Sequence, residues 1–162
     1  MEIRPIRPEE CEALGLLTVV AYAAVSESAL SDGYAAELAD VGPRSEKAIV
    51  LVAVEGAVVL GGVTYVPDAA NAYAEDLGAD EAGVRMLAVA PEAQGGGVGR
   101  ALLEVCLAMA RAEGRQAVAL HSTTLMTVAH RLYEDVGFVR APERDWSPGS
   151  GVELLGFRLA LR

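Results

Sequence analysis

A glycine-rich turn between a strand-like and a helical segment is the stretch of this sequence best suited to chemistry. Residues 84–90 are mostly apolar and fit a strand that ends at Pro91, and residues 101–113 repeat apolar side chains at helical spacing. Between them lies the run Gln94-Gly95-Gly96-Gly97-Val98-Gly99-Arg100. Glycines let the backbone turn sharply, and the first amides of a helix have no partner within it. The turn therefore predicts an anion site, most often for phosphate.

Two common phosphate motifs do not fit this turn. A P-loop ends in Gly-Lys-Ser/Thr, whereas Gly99 is followed by Arg100 and Ala101, so the lysine and the magnesium-binding hydroxyl are missing. A dinucleotide fingerprint, Gly-x-Gly-x-x-Gly, would place its third glycine at Arg100. The spacing that does fit is Gln-x-x-Gly-x-Gly, read as Gln94, Gly97 and Gly99. A plain connecting turn is the alternative for so short a motif.

The segment from Arg85 to Phe138 resembles the cofactor-binding half of the GNAT superfamily of N-acetyltransferases. The first hallmark of that family, Arg/Gln-x-x-Gly-x-Gly/Ala, matches the turn. The second, Ala-x-x-Leu-Tyr-x-x-x-Gly-Phe, matches the sequence from Ala129 to Phe138. The resemblance implies an N-acetyltransferase that moves the acetyl group of acetyl-coenzyme A (acetyl-CoA) to a primary amine of a small molecule, such as an amino acid or a polyamine. The amine would attack directly in a ternary complex.

The resemblance also implies which residues hold acetyl-CoA. A bulge in the fourth strand would offer main-chain contacts to the pantetheine arm at Leu87, Ala88 and Val89. Leu87 or Ala88 would also donate the N–H that stabilises the carbonyl oxygen. The pyrophosphate would lie on the turn, with binding residues Gln94, Gly95, Gly96, Gly97, Val98, Gly99 and Arg100. Arg100 agrees with this, because a cation in the first turn of a helix opposes the dipole unless an anion lies there.

Two positions near the second hallmark bear on catalysis. Tyr133 is the candidate general acid, because the resemblance implies that its hydroxyl points at the coenzyme sulfur; a packing role is the alternative. Many family members carry an asparagine that bonds the pantetheine where this chain has Met126. That contact would be lost, made by main chain, or replaced by Thr123, Thr124 or Thr127.

The general base is expected on or near the fourth strand. Alternation predicts one shared strand face for Glu81, Gly83, Arg85, Leu87 and Val89. Glu81 is the first candidate for removing the amine proton, and a solvated strand end is its alternative role. The other candidate bases are Glu75, Asp76 and His121.

Arg85 and two other side chains are candidates for binding the acceptor. Arg85 could clamp a carboxylate, which would favour an amino acid or peptide-like amine, or it could form an ion pair with Glu81 or Asp80. His121 and Trp146 are the other substrate-binding candidates, with packing as the alternative for Trp146. The resemblance places further acceptor walls at residues 26–34 and 144–146.

The order of predicted elements matches the α/β (α+β) fold of the superfamily, a mixed, mostly antiparallel twisted sheet of about seven strands with about four helices. Predicted strands are residues 3–7, 48–54, 58–66, 84–90, 117–120, 138–140 and 152–161. Predicted helices are one beginning at Pro8 and those at residues 33–40, 101–113 and 125–136, with loops at 67–80 and 141–151. Residues 1–162 are expected to form a single domain.

The composition of the chain limits which kinds of partner it is expected to bind. The chain has 23 Asp and Glu against 13 Lys and Arg, a formal charge of −10, so DNA, RNA and anionic membranes are not expected to bind. No apolar run approaches the ~20 residues that span a bilayer. The only cysteines, Cys11 and Cys106, lack neighbouring ligands, so no metal site is expected. We expect a cytoplasmic protein that binds acetyl-CoA and an amine, with a homodimer possible because homodimers are common in the superfamily.

Three other functions fit parts of the sequence. A GNAT-like domain could bind acyl-CoA with weak or no catalysis and act as a sensor. The acceptor could instead be the amine of a protein or peptide. A nucleotide-binding α/β domain is the third alternative, and it predicts affinity for NAD or ATP.

Overall fold

The computed structural model describes residues 1–25, 33–149 and 152–162. The first elements are strand β1 (Glu2–Pro5) and helices α1 (Cys11–Val25), α2 (Tyr34–Ala39) and α3 (Val41–Lys47). Strands β2 (Ile49–Glu55), β3 (Val58–Val66) and β4 (Glu81–Val89) follow. The second half contains α4 (Val98–Ala112), β5 (Ala117–Thr123), α5 (Thr127–Val136), β6 (Val139–Arg140), β7 (Trp146–Gly149) and β8 (Val152–Ala160). This is the mixed α/β order that the sequence predicts.

The strands of the described residues form one sheet in the order β1-β2-β3-β4-β5-β8-β6, with β7 paired to β8. Among the described strands, only the pair β4 and β5 is parallel. Their pairing is confined to Glu81, Ala82 and Gly83 of β4, opposite Ala117–Ala119 of β5. Beyond Gly83, β4 pairs only with β3 among the described residues. The two central strands therefore diverge and leave a gap in the sheet.

β4 contains a β-bulge beside this gap. On β3, Gly62 pairs with Ala88 and Thr64 pairs with Arg85, so Met86 and Leu87 together stand opposite a single residue of β3. Met86 has a φ of 56°, a left-handed conformation that residues with a Cβ seldom adopt. A bulge bends its strand and interrupts the alternation of side chains.

The bulge divides the side chains of β4 between the two faces of the sheet. Arg85 pairs with Thr64, whose hydroxyl accepts a hydrogen bond from Arg44 of α3, so Arg85 lies on the face covered by α1 to α3. Val89 pairs with Gly61, where an added Cβ would lie 3.2 Å from Val98 of α4, on the opposite face. The predicted single face for Glu81, Gly83, Arg85, Leu87 and Val89 is therefore wrong beyond the bulge.

α4 covers the second face of the sheet with its apolar side. Leu102, Leu103 and Cys106 are fully buried there, against strand residues that include Tyr65. Burial of each leucine side chain contributes about 1.5–3 kcal/mol. Close contact of α4 with α5 depends on Gly99, because a Cβ at this position would lie 3.0 Å from Cδ2 of Leu132. The start of α4 is thereby fixed next to both β4 and α5.

Two elements differ from the sequence prediction. α3 was not predicted, because Gly42-Pro43 resembles a helix stop; Pro43 instead lies in the first turn of α3, where no N–H is required. β7 lies within the predicted loop 141–151 and adds a short strand beside β8. None of the described helices is both long and apolar enough to cross a membrane.

Candidate active site

The glycine-rich turn joins the end of β4 to the start of α4. Gly95 and Gly97 have φ values of 84° and 85°, which glycine alone adopts readily. The N–H of Ala101 bonds to the carbonyl of Gly97 at 3.0 Å, whereas the amides of residues 95–100 donate to no acceptor among the described residues. Helix starts leave such amides free, and the helix dipole adds positive potential. The turn is thus a row of free donors suited to an anion.

Two side chains of the turn are held by the protein itself. Gln94 donates through Nε2 to the carbonyl of Val89 at 3.3 Å, which ties the turn to the end of β4. Nε of Arg100 lies 3.0 Å from a carboxylate oxygen of Glu104, one helical turn along. Because Glu104 already gives Arg100 an anionic partner, the position of Arg100 in the first turn does not by itself require a bound anion.

A cavity of about 330 Å³ opens beside the gap between β4 and β5. Its charged lining residues within the described part of the chain are Glu37, Glu75 and Arg85. The aromatic side chains Tyr22, Tyr34 and Trp146 form other walls, and β5 contributes His121, Ser122 and Thr123. Residues 26–32 of the predicted acceptor wall lie outside the described residues. The cavity therefore brings together Arg85, His121 and Trp146, the three residues that the sequence offered as candidates for binding the acceptor.

Arg85 forms ion pairs with two carboxylates inside this cavity. Its Nε lies 2.9 Å from Glu75, one terminal nitrogen lies 3.6 Å from Glu37, and the other donates to the carbonyl of Tyr73 at 3.3 Å. Burial lowers the pKa of Arg85, but Glu75, Tyr34 and Glu37 outweigh burial, so this pKa lies above its ordinary value. An ion pair was one predicted role for Arg85, although the predicted partners, Glu81 and Asp80, are not the observed ones.

Glu37 is positioned by the buried side chain of Arg44. The Arg44 guanidinium donates to the main-chain carbonyls of Glu37 and Leu38 at 2.7 and 3.2 Å and to the Thr64 hydroxyl at 3.1 Å. Burial lowers the pKa of Arg44. Because these bonds fix the last turn of α2 against β3, the Glu37 side chain is directed at the cavity.

Glu81 lies outside the cavity lining, and the structure does not support its choice as general base. It is 4% exposed and accepts two hydrogen bonds from Arg144 at 2.7 and 2.9 Å, one from Arg158 at 2.7 Å and one from the Gly78 N–H at 2.9 Å. Burial alone would raise its pKa, but these donors lower the pKa to about 2. A carboxylate this acidic accepts a proton poorly at neutral pH. Glu81 is instead the centre of an ion-pair network.

His121 has the hydrogen bonding of a potential base. Its Nε2 lies 2.9 Å from the carbonyl oxygen of Arg144, and since a carbonyl only accepts, Nε2 carries the proton. In the neutral ring Nδ1 is then free to accept a proton. His121 also lines the cavity, whereas Glu81 does not.

Tyr133 lies in the last turn of α5 and is buried between aromatic rings. Its ring centroid lies 6.0 Å from that of Phe138 and 5.6 Å from that of Phe157. Burial raises the pKa of the Tyr133 hydroxyl, so this group stays protonated at neutral pH. Tyr133 belongs to the buried core of the described residues and does not itself line the cavity.

The link between α5 and β5 is made by His130, which the sequence reasoning did not single out. Nε2 of His130 lies 2.9 Å from the carbonyl of Thr123 and 3.2 Å from Oγ of Ser122. Met126, the residue in place of the family asparagine, precedes α5 and lines the cavity. His130, which ties α5 to β5, therefore lies one helical turn after Met126, the position at which many family members carry an asparagine.

Metal ligands do not cluster in the described residues: no group of three or more His, Cys, Asp or Glu side chains comes together there. Cys106 is buried within α4, and burial raises the pKa of its thiol to about 12. This thiol is thus protonated and has no contact with the cavity.

Comparisons with known proteins agree with this geometry. A family model described as an acetyltransferase (GNAT) domain matches residues 46–140. A GNAT-family acetyltransferase from Staphylococcus aureus has a TM-score of 0.77 at 12% identity, with 99% of both chains covered.

Two further solved structures have the same fold. The ribosomal-protein-alanine N-acetyltransferase of Brucella melitensis has a TM-score of 0.70 at 21% identity, covering 99% of this chain and 100% of its own. The yncA protein of Salmonella typhimurium, solved with its cofactor acetyl-CoA, has a TM-score of 0.69 at 22% identity, covering 99% of this chain and 94% of its own. A search of curated proteins finds no match.

Proposed function

The chain belongs to the GNAT family of acetyltransferases, and from its geometry we propose that it transfers the acetyl group of acetyl-CoA to a primary amine of a small molecule. The observation that carries this proposal is the row of free amides at residues 95–100, directly beside the unpaired edge of β4 and the cavity. A pyrophosphate needs several N–H donors, and an amide-bearing pantetheine arm needs a free strand edge. Both requirements are met next to a space that can hold an amine.

The acetyl-CoA found in the yncA structure supports this assignment of the turn. In this chain the pyrophosphate would be held by the amides of residues 95–100, and the pantetheine arm by main chain of Leu87, Ala88 and Val89. Val89 is suited to this role because the N–H of Ala90 bonds to β3, which directs the main chain of Val89 toward the open edge. Gln94 holds the turn against that same residue.

The bound cosubstrate supplies a thioester, in which the carbon–sulfur bond breaks as the new carbon–nitrogen bond forms. The chain's own groups would handle the protons and the charge. A backbone N–H of β4 would donate to the carbonyl oxygen, where negative charge develops. Of the two candidates, Leu87 suits this better than Ala88, because the main chain of Ala88 pairs with Gly62 of β3. Tyr133 would give its hydroxyl proton to the departing sulfur.

His121 takes the place of Glu81 as the proposed base. Nδ1 of the neutral ring can accept the proton that the amine loses, since Nε2–H is bonded to the Arg144 carbonyl. Its position in the cavity lining supports this role. Arg85 and Trp146 remain proposed acceptor-binding residues. The same proposal includes a single domain, a cytoplasmic location and a homodimer, which rest on the sequence and on family resemblance.

A matched pair of glycine variants tests the cofactor site. Gly97 and Gly114 lie at opposite ends of α4, both with positive φ, at 85° and 75°, and with open space where a Cβ would be added. Glutamate therefore costs similar backbone strain at each, but only Gly97→Glu places a negative charge on the anion site. Calorimetric titration with acetyl-CoA should show binding weakened by about tenfold or more in Gly97→Glu. Gly114→Glu should bind like the wild type. Equal loss in both variants would contradict the site.

A further inference from the structure

The charges of the cavity indicate what kind of amine it accepts. Two carboxylates, Glu37 and Glu75, face one guanidinium, Arg85, so the charged side chains that line the described part of the cavity sum to −1. Arg85 is the only lysine or arginine among these lining residues. The cavity is thus a negative site despite its arginine.

Each nitrogen of Arg85 already lies beside a protein oxygen, which disfavours a substrate carboxylate. Nε is engaged by Glu75, and the terminal nitrogens are engaged by Glu37 and by the Tyr73 carbonyl, all within the described residues. A carboxylate on the acceptor would have to displace a protein carboxylate and would then lie beside the other. Such juxtaposed like charges are unfavourable, so the two protein carboxylates oppose the carboxylate clamp that was one predicted role of Arg85.

The uncharged walls suit a flexible cationic chain. Tyr22 and Tyr34 meet edge to face, with ring centroids 6.1 Å apart, and Trp146 lies across the cavity with 43% of its surface exposed. Aromatic faces attract ammonium groups. Met86 and Met126 supply unbranched apolar contacts for methylene groups between two amines.

We propose that the acceptor is an aliphatic diamine or polyamine without a carboxylate, of which one amine reacts while a second ammonium group binds Glu37 and Glu75. This rests on the proposed function in one respect: the cavity is where the reacting amine lies. No atoms are exchanged with Glu37 or Glu75. Both act by recognition alone, and the acetyl group passes only to the reacting nitrogen.

Three compounds of one carbon skeleton test the proposal. 1,5-Diaminopentane has both amines, lysine adds a carboxylate to it, and 1-aminopentane lacks the second amine. The diamine should exceed each of the other two by about tenfold or more in kcat/KM, the scale of one charge-assisted hydrogen bond. Calorimetric binding of the three compounds to the protein saturated with coenzyme A should show the same order and does not depend on turnover.

Glu37→Gln identifies the source of the preference. The substitution keeps the main-chain bonds from Arg44 to Glu37 and removes only the carboxylate charge. The advantage of the diamine over 1-aminopentane should fall by about tenfold in this variant. It should persist in Glu46→Gln, a control at an exposed glutamate of α3 away from the cavity lining.

The outcomes separate this inference from the proposed function. Selective binding of the diamine without acetyl transfer to any amine would support its recognition by Glu37 and Glu75 but overturn the proposed function and, with it, the role of the diamine as acceptor. Acetyl transfer with lysine or 1-aminopentane equal to the diamine would support the proposed function and overturn the inference. Failure of the diamine to bind, or an unchanged preference in Glu37→Gln, would also overturn the inference.

Discussion

Tyr133 and His121, the residues proposed as acid and base, lie in different surroundings. Tyr133 is enclosed by Phe138 and Phe157, and the burial that raises the pKa of its hydroxyl keeps this group protonated at neutral pH. His121 has its Nε2–H committed to the Arg144 carbonyl, which leaves Nδ1 to accept. The two groups would thus serve opposite ends of one transfer, as acid and as base.

Replacement of either proton-transfer residue should lower kcat without weakening cosubstrate binding. Tyr133→Phe keeps the aromatic packing and removes only the hydroxyl, and His121→Gln keeps a donor for the Arg144 carbonyl but removes the basic nitrogen. We expect kcat to fall by about 100-fold in each, because acid–base groups typically contribute that much or more. Steady-state kinetics and acetyl-CoA titration measure the two effects. An unchanged kcat in one variant would exclude a proton-transfer role for that residue.

At this scale the sequence predicts what is local along the chain. The glycines of the turn and Tyr133 are encoded by short motifs whose parts are neighbours in sequence. Glu81 was misassigned because its partners are distant: Arg144 is 63 residues away and Arg158 is 77. The cavity residues Tyr22 and Glu37 were missed for the same reason, since no local pattern marks them and only the folded chain brings them to Arg85.

At the scale of elements, the ion pairs of Glu81 join three parts of the structure. Glu81 begins β4, Arg144 ends the short helical turn before β7, and Arg158 belongs to β8. The same turn gives its Arg144 carbonyl to His121, and β7 begins with Trp146. The network therefore fixes one wall of the cavity from outside it.

Glu81→Gln should destabilise the fold in a pH-dependent way. We expect a loss of about 1–3 kcal/mol in the free energy of unfolding at neutral pH, below the about 3–5 kcal/mol of a fully buried pair because both guanidinium groups reach water. The folded pKa of Glu81, about 2, lies below its ordinary value of 4.5, so its contribution is present above that value and is lost as pH falls toward 2.

Denaturant unfolding at neutral pH and near pH 3 measures this effect, and Glu153→Gln, at an exposed glutamate of β8, is the control. The difference between wild type and Glu81→Gln should shrink at the lower pH. A difference that is constant with pH, or equal to that of the control, would exclude the ion-pair explanation.

Most elements could be predicted because their periodicity is strong, as in α4, where buried Leu102, Leu103 and Cys106 recur on one side. The bulge in β4 could not, since no residue type in the strand marks it and Met86 adopts its φ of 56° only where the neighbouring strands require it. The faces of Leu87 and Val89 were therefore assigned wrongly. α3 was missed because proline is compatible with the first turn of a helix but interrupts a helix when it lies further inside, and the sequence does not show which case applies to Pro43.

For the molecule as a whole, charge is distributed to suit two unlike ligands. The net charge of −10 and the negative cavity favour approach of a cationic amine. The same field opposes an anionic cosubstrate, so binding of acetyl-CoA depends on the local amides and the helix dipole at the start of α4. Acetyl-CoA would thus approach the gap between β4 and β5 from the positive start of α4, and the amine would approach it from the negative cavity.

The most direct test of this account is acetyl transfer itself. Purified protein would be incubated with acetyl-CoA and 1,5-diaminopentane, and free thiol and acetylated amine would be quantified together, the latter by mass spectrometry. Both products should appear in equal amounts and only with enzyme present. Binding of acetyl-CoA without an acetylated product from the diamine or from any other small amine would contradict this account and favour an acyl-CoA sensor.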